Sequence, residues 1–223
     1  MNSSTKLIVL DGLDGCGKST QFELLANKLK TLGITCKPIS FPEYDKKSST
    51  LVKMYLDGDI SSSPNGVNAY AASSFYACDR FISYKLYWEK DYLDGQVILA
   101  SRYVSSNAIH QMSKLSEDKW DEYLEWIEDY EYNRLGLPRP DKTIFLDMPL
   151  EVSRKLISSR YEGDESKRDI HEADHSYMKS CRRSALYAAE KLGWEIINCS
   201  SGDSPLTIES IAEAIWSSVS QLL

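Results

Sequence analysis

The chain has 223 residues, of which 42% are hydrophobic, and a formal net charge of −7, a composition that is typical of a globular protein and predicts one domain over residues 1–223. Nucleic-acid polymers are bound through clustered lysines and arginines, so this acidic balance argues against DNA or RNA as a partner. The five cysteines are scattered and form no C-x-x-C pair, which argues against a disulfide framework or a zinc site. The sequence shows neither a long apolar run nor a signal-peptide pattern, which predicts a cytoplasmic protein without a membrane partner.

An apolar run over residues 7–10 predicts a buried first strand, and the loop after it reads GLDGCGKS, which matches the phosphate-binding pattern G-x-x-x-x-G-K-[ST]. Glycines in such a loop let backbone N–H groups surround phosphate oxygens, and a helix that begins near Lys18 directs its N-terminus at them. The lysine bridges the β- and γ-phosphates of ATP, and the Ser19 hydroxyl ligates Mg²⁺. The predicted ATP-binding residues are Gly12, Leu13, Asp14, Gly15, Cys16, Gly17, Lys18, Ser19 and Thr20.

Cys16 lies inside this loop, near the N-terminus of the helix that follows. A helix N-terminus can lower the pKa of a thiol and make the thiol reactive. A small side chain that only fills the space inside the loop needs no such property. We favour the second interpretation, in which Cys16 has a packing role.

Four more strands follow the first, and helical patterns separate them. The predicted strands cover residues 34–40, 96–100, 143–147 and 194–198. The predicted helices begin near Lys18 and then cover residues 48–57, 67–91, 116–136, 149–159, 174–192 and 207–222. Strands that alternate with helices form a parallel sheet with helices on both faces. The sequence therefore predicts an α/β protein with the P-loop NTPase fold, a five-stranded parallel sheet and a short lid insert.

Three of these segments carry further signals. In the helix over residues 67–91, Tyr76 and Arg80 stand four residues apart on one face. The third strand delivers Arg102 to its carboxyl end, where ligands bind in parallel α/β sheets. Residues 160–171 are polar and lack apolar periodicity, which is typical of a lid. The acidic residues of the helix over 116–136 are predicted to form only a solvated face: Glu117, Asp118, Asp121, Glu122, Glu125 and Glu128.

Five segments together resemble the thymidylate kinase family of P-loop nucleoside-monophosphate kinases. They are residues 10–21, the sequence FPE over 41–43, FYACDR over 75–80, residues 101–111 and the lid ahead of Glu172. The resemblance covers nearly the whole chain and implies phosphorylation of dTMP to dTDP with ATP and Mg²⁺. It also implies that the partners are small nucleotides and that the enzyme is a homodimer. The aromatic helix over 67–91 is then either the dimer interface or part of the core.

The resemblance gives each matching residue of the acceptor site a role. Asp14 is expected at the sugar 3′-hydroxyl, Tyr76 is expected to stack on thymine, and Arg80 is expected at the base or a nearby phosphate. Arg102 is expected to hold the acceptor phosphate, for which a planar guanidinium is suited. The other implied substrate-binding residues are Phe41, Pro42, Ser106, Asn107 and Gln111. Spacing alone leaves other interpretations open: Tyr76 as core, Arg80 as a surface cation and Arg102 as part of a helix-capping turn.

The catalytic residues that the resemblance implies are Lys18, Arg102, Arg160 and Arg168. Family members with glycine rather than arginine in the phosphate loop, as here at Gly15, supply the transition-state cation from the lid, where Lys167 is a further candidate. Phosphoryl transfer needs positioning and charge neutralisation more than covalent chemistry, and a lid arginine that closes over the γ-phosphate contributes to both. A solvated charged loop is the alternative for each lid residue.

The chain departs from the family pattern at three places. Ser101 stands where the family has an aspartate associated with the metal and the acceptor phosphate. Lys46 or Lys47 would have to replace an arginine that follows the second strand. His110 replaces a tyrosine that excludes a ribose 2′-hydroxyl, and we do not interpret it as a general base because a monophosphate acceptor is already an anion.

Two other classes of function stay open beside dTMP phosphorylation. A deoxynucleoside kinase, or a kinase for another monophosphate, would share the loop and the lid, with Glu43 as the candidate base for a nucleoside hydroxyl. A nucleotide-binding protein with weakened catalysis would result if the Ser101 hydroxyl cannot replace a carboxylate charge. Phosphorylation of dTMP is the function that the sequence favours.

Overall fold

The computed structural model describes residues 6–61, 66–160 and 175–223. Most of the predicted lid over residues 160–171 lies outside the described residues. Within the described ranges, no helix is both long and apolar enough to cross a lipid bilayer.

Five parallel strands form the central sheet. They are β1 Leu7–Gly12, β2 Cys36–Ser40, β3 Val97–Ser101, β4 Lys142–Asp147 and β5 Glu195–Asn198. The strands lie in the order β2-β3-β1-β4-β5, so the strand that leads into the phosphate loop is central. Ser101 pairs with Leu10 on one side and with Ser40 on the other, which places the carboxyl ends of three strands side by side. The predicted five-stranded parallel sheet is confirmed.

Helices cover both faces of this sheet. They are α1 Lys18–Thr31, α2 Thr50–Leu56, α3 Ala69–Ser83, α4 Glu89–Leu93, α5 Val104–His110, α6 Trp120–Glu128, α7 Leu150–Arg160, α8 His175–Leu192 and α9 Ile208–Val219. Side chains of β1 alternate between two cores: Leu7 and Val9 pack with α3, α5 and α6, whereas Ile8 and Leu10 pack with α1 and α9. Burial on both faces is typical of a parallel sheet. The short helix α5 and a small antiparallel pair, β6 Ser200–Ser201 with β7 Ser204–Pro205, were not predicted.

Two helices that were predicted to be continuous are interrupted by π-helical turns. Tyr84–Trp88 separates α3 from α4, and Asp129–Arg134 follows α6. A π turn adds one residue to a helical turn and so changes which side chains face inward. The first π turn buries Tyr84 and Trp88, of which 8% and 1% are exposed. These two aromatic residues therefore belong to the core.

The acidic face predicted for the helix over residues 116–136 is largely exposed. The exposed members are Glu117, Asp118, Asp121, Glu122 and Glu125. Glu128 is half-buried, and its Oε1 lies 3.3 Å from the NH1 of Arg139. Glu131, in the π turn that follows, is fully buried. The solvated-face interpretation is confirmed for the exposed carboxylates and does not extend into the π turn.

Candidate active site

The phosphate loop joins β1 to α1 and ends in a tight turn at Gly17, whose φ is 85°. No side chain caps the N-terminus of α1, so its first N–H groups stay available to an anion. Lys18 is only 8% exposed, and its Nζ donates to the Gly12 carbonyl oxygen over 3.1 Å. Burial and the neighbouring Arg102 lower the pKa of Lys18. The loop therefore holds a buried cation directly beside an uncapped helix N-terminus.

The glycines of this loop are required for different physical reasons. A Cβ on Gly12 would lie 2.7 Å from the Cys16 Sγ and 3.0 Å from the Leu146 carbonyl oxygen, so the protein itself fills that space. Gly17 has open space around it, and a side chain there would be opposed by the left-handed backbone conformation instead. Cys16 is 1% exposed, and burial raises the pKa of its thiol. The packing role of Cys16 is confirmed.

Arg102 occupies a strained turn between β3 and α5. Its φ of 66° lies in the left-handed region, which a non-glycine residue adopts where the surrounding structure enforces it. Its NH2 donates to Asp14 Oδ1 over 2.6 Å, and its NH1 donates to His110 Nε2 over 2.9 Å. These bonds hold the guanidinium between the phosphate loop and α5.

Asp11, which sequence reasoning missed, ties the phosphate loop to the start of α5. Its fully buried carboxylate accepts the N–H of Gly12 over 2.8 Å. It also accepts the hydroxyls of Ser105 and Ser106 over 2.6 and 2.8 Å. The sequence does contain a signal for this role of Asp11, which is an acidic residue near the end of a strand that leads into a phosphate loop. A buried carboxylate at such a position needs several hydrogen-bond donors, so it predicts partner residues nearby.

Ser101 supplies no charge to the site, yet Arg102 has two carboxylates beside it. Asp14 Oδ1 lies 2.6 Å from its NH2, and Asp11 Oδ1 lies 3.8 Å from its NH1. Opposite charges this close stabilise the ionised guanidinium and restrict its rotation. The orientation of Arg102 is therefore maintained from β1 and the phosphate loop, without an acid at position 101.

One cavity opens at the carboxyl ends of β1, β2 and β3. Its wall contains every residue that was predicted to bind the acceptor: Asp14, Phe41, Pro42, Tyr76, Arg80, Arg102, Ser106, Asn107 and Gln111. The Phe41–Pro42 peptide bond in this wall is cis. Gln111 is 4% exposed, and within the described chain its Oε1 has no hydrogen-bond partner, so it is an acceptor open to a ligand. The structure brings these residues together, and their contact with a nucleotide stays a prediction.

Sequence reasoning missed part of the cavity wall. The additional wall residues are Tyr44, Tyr55, Leu56, Tyr177 and Met178, and His110, which the resemblance had placed at the ribose, lies in the wall as well. The ring of Tyr55 lies 6.3 Å from that of Tyr76 and nearly perpendicular to it, and its hydroxyl accepts a hydrogen bond from Lys114 Nζ over 2.7 Å. Burial lowers the pKa of Lys114 to about 8. No spacing pattern in the sequence connects α2 with α8, so the sequence could not predict that residues of both helices line the same cavity.

Arg80 lies in the cavity wall, and the surface-cation interpretation is wrong. The residue is 1% exposed, and its Nε and NH2 donate to the two carboxylate oxygens of Glu131, each over 2.6 Å. Glu131 was also missed. It stands four residues after the buried Ile127, on the same stripe of the helical pattern, so its position was a readable sign of a buried partner.

Comparison with known proteins identifies the family. The family model described as thymidylate kinase matches residues 10–206, which is most of the chain. The chain belongs to the thymidylate kinase family. The thymidylate kinase of Mycobacterium tuberculosis is 29% identical over 188 residues, which are 82% of this chain and 84% of that protein. A probable thymidylate kinase of Methanococcus maripaludis is 26% identical over 223 residues, with 98% of each chain covered.

A solved structure has the same fold. The structure of thymidylate kinase from Candida albicans matches with a TM-score of 0.68, covers 98% of this chain and 92% of that chain, and is 21% identical. A likeness at this identity establishes the fold. The predicted P-loop NTPase fold is confirmed.

Family membership decides the class of reaction. The chain is an enzyme, a phosphotransferase that uses ATP and Mg²⁺ as thymidylate kinases do, and its activity is the phosphorylation of dTMP to dTDP. The family, the enzyme class and the nucleotide-binding function predicted from the sequence are confirmed. The alternatives of a deoxynucleoside kinase and of a catalytically weakened binding protein find no support in these comparisons.

The predicted lid cations fall outside what the structure describes. Arg160 is the last residue of α7, and its side chain, like all of Lys167 and Arg168, lies outside the described residues. Their catalytic role stays a prediction. Lys46 and Lys47 are described, and both are exposed residues outside the cavity wall. The structure therefore does not bring either of them to the acceptor site.

His110 is expected to stay neutral at physiological pH and to make folding pH-dependent in acid. Burial and the charge of Arg102 lower its pKa from 6.5 to about 3. As the pH falls from 6.5 towards 3, His110 becomes protonated in the unfolded chain but stays neutral in the folded chain. The unfolding free energy should therefore fall by about 1.4 kcal/mol per pH unit between pH 6.5 and pH 3 because of His110 alone.

Urea denaturation of the wild type and of His110→Gln between pH 4 and pH 8 measures this effect. The difference in unfolding free energy between the two proteins removes the contributions of the other titrating groups. A difference that does not change with pH would show that the folded protein protonates His110 as readily as the unfolded chain does.

Proposed function

We propose that dTMP binds in the cavity with its phosphate on Arg102, and that ATP binds on the phosphate loop beside it. The observation that carries this arrangement is the position of Arg102, which lines the cavity while its NH2 lies 2.6 Å from Asp14 Oδ1 in the phosphate loop. An acceptor phosphate must lie next to the γ-phosphate of ATP for transfer to occur. A cation at the boundary of both sites is suited to hold it there.

The phosphate loop fits ATP and Mg²⁺. The uncapped N-terminus of α1 offers N–H donors, and Lys18 offers its ammonium group, which here donates to a backbone carbonyl. Ser19 is exposed in the first turn of α1, where its hydroxyl is open to the metal. Bound Mg²⁺ neutralises phosphate charge. We assign ATP binding to Gly12, Leu13, Asp14, Gly15, Cys16, Gly17, Lys18, Ser19 and Thr20.

The transfer is a substitution at the γ-phosphorus. An oxygen of the dTMP phosphate forms the new P–O bond while the bond to the bridging oxygen of ADP breaks. Lys18 and Arg102 stabilise the charge that shifts between the phosphates, and Arg160 and Arg168 of the lid are proposed to add to it. The attacking oxygen is already anionic, so no general base is needed. A neutral His110 that accepts a bond from Arg102 agrees with this.

A panel of monophosphates assayed with ATP and Mg²⁺ tests the substrate assignment. We expect dTMP to give the highest kcat/KM among dTMP, dUMP, dCMP, dGMP, dAMP and their ribose counterparts, with thymidine as the nucleoside control. Faster phosphorylation of thymidine than of dTMP would contradict the assignment. So would a purine monophosphate as the best acceptor.

We further propose a single-domain enzyme that is cytoplasmic and forms a homodimer. Tyr84 and Trp88 lie in the core, so they are not available to an interface. Ile82 and Leu86, which precede and lie within the first π turn, are 38% and 65% exposed and offer an apolar surface to a second copy. Sedimentation equilibrium tests the assembly by measuring whether the mass in solution is that of one chain or of two.

A further inference from the structure

Glu131 joins two cavity-wall side chains that come from different helices. Its Oε2 accepts from Arg80 Nε over 2.6 Å, and its Oε1 accepts both from Arg80 NH2 over 2.6 Å and from Asn107 Nδ2 over 3.0 Å. Glu131 is fully buried, and Arg80 and Asn107 are 1% and 2% exposed. Because Arg80 and Asn107 both line the cavity, a single carboxylate behind the wall controls two groups in it.

This carboxylate fixes which end of the Asn107 amide faces the cavity. A carboxylate paired with a guanidinium only accepts hydrogen bonds, so Asn107 must turn its NH2 group toward Glu131. The second amide hydrogen is donated to the Ser73 carbonyl oxygen over 3.2 Å. Both donors of the amide are thus used inside the protein. The group that Asn107 can offer to a ligand is its Oδ1, which is an acceptor.

The contact with Glu131 also uses part of the hydrogen-bond donors of Arg80. Two of the N–H bonds of the guanidinium point to Glu131, and the side chain has no acceptor at all. Whatever Arg80 offers to the cavity is therefore a donor. Since Arg80 and Asn107 are both held by Glu131, the cavity wall presents a donor from Arg80 next to an acceptor from Asn107, and these two roles cannot be exchanged.

We propose that Glu131 is a positioning residue that makes this pocket select a base edge with a carbonyl next to a ring N–H. Thymine and uracil carry that pattern, whereas cytosine carries an amino group next to an unprotonated ring nitrogen. The amino group of cytosine would face the N–H groups of Arg80, so two donors would meet. The unprotonated ring nitrogen of cytosine would face Asn107 Oδ1, so two acceptors would meet, and buried polar groups without partners weaken binding. The inference rests on the proposed binding of dTMP in this cavity.

Glu131→Gln tests the proposal because a carboxamide has one acceptor oxygen and one NH2 group. At least one of the three N–H groups that now point at Glu131 then meets a donor, so either Arg80 moves or Asn107 turns. We expect KM for dTMP to rise at least about tenfold with kcat within about threefold, and the ratio of kcat/KM for dTMP over dCMP to fall at least about tenfold. Glu131→Asp, which keeps an acceptor-only group, should preserve the ratio better than Glu131→Gln.

The matched control is Glu128→Gln, three residues earlier, which changes a half-buried carboxylate paired with Arg139. It should leave the ratio unchanged. If Glu131→Gln lowers kcat/KM for dTMP and dCMP equally, the role of Glu131 is structural and the proposal is wrong. If the wild type itself does not phosphorylate dTMP, the proposed function fails instead, so the two failures are distinguishable.

A measurement on the wild type covers the case in which Glu131→Gln does not fold. Both side-chain amide protons of Asn107 donate to buried acceptors, so in the ligand-free protein they should exchange with solvent at least about tenfold more slowly than those of the exposed Asn27. Nitrogen-15 NMR gives both rates. Exchange of the Asn107 protons as fast as that of Asn27 would overturn the proposal.

Discussion

Replacing Lys18 with methionine is expected to lower kcat by about 10³-fold, because in the proposed mechanism the lost ammonium group acts where charge shifts in the transition state. Methionine keeps most of the buried hydrocarbon of the side chain, which is 8% exposed. The loss should appear in kcat and kcat/KM together, since the interaction is stronger in the transition state than with bound ATP. Steady-state kinetics with dTMP and ATP give both values.

The same substitution is expected not to lower stability, and this separates a site effect from misfolding. Burial and the charge of Arg102 lower the pKa of Lys18, so below its unfolded pKa the charged form costs folding free energy. Lys18→Met removes that cost, and the melting temperature should be equal to or above that of the wild type. Lys30→Met, at an exposed position in the last turn of α1, is the control for activity. Loss of activity with a lowered melting temperature would contradict the assigned role.

The fold could be predicted because its signals are local. The run before the phosphate loop is apolar at every position from Leu7 to Leu10, as a strand buried on both faces must be. The loop pattern then fixes the turn and the start of α1. Each later strand is a short apolar segment between helical patterns, and the rules for parallel sheets bring their carboxyl ends together. Local sequence patterns were therefore enough to predict the order of strands and helices along the chain.

The parts that could not be predicted depend on long-range contacts or on a change of helical register. Two π turns interrupt helices that the sequence pattern predicts as continuous, and a regular helical repeat does not reveal where an extra residue is inserted. Tyr55 and Tyr177 reach the same cavity from helices far apart in the sequence. The left-handed φ of Arg102 has no sequence signal either, because the residue type argues against it.

Replacing Arg102 with alanine should lower kcat/KM for dTMP by about 10³-fold, since the two hydrogen bonds that we propose between this guanidinium and the acceptor phosphate would be lost. Arg102→Lys should recover only part of this, because an ammonium group restores the charge but not the planar fork. The loss should appear both as a raised KM for dTMP and as a lowered kcat, because the proposed role of Arg102 covers acceptor binding and charge stabilisation, and the change in KM for ATP should be smaller. Equal changes in both KM values would place Arg102 at the nucleotide donor rather than the acceptor.

Arg102→Gly completes this comparison, because it removes the side chain and relieves the backbone. At a φ of 66° a Cβ is strained, whereas glycine adopts this conformation freely. Alanine and glycine lose the same hydrogen bonds to Asp14 and His110, so both variants should be equally impaired in kcat/KM. The glycine variant should nevertheless be more stable than the alanine variant by about 1 kcal/mol. Urea denaturation of the two variants measures this difference. Equal stabilities would mean that the alanine variant stores no strain at this turn.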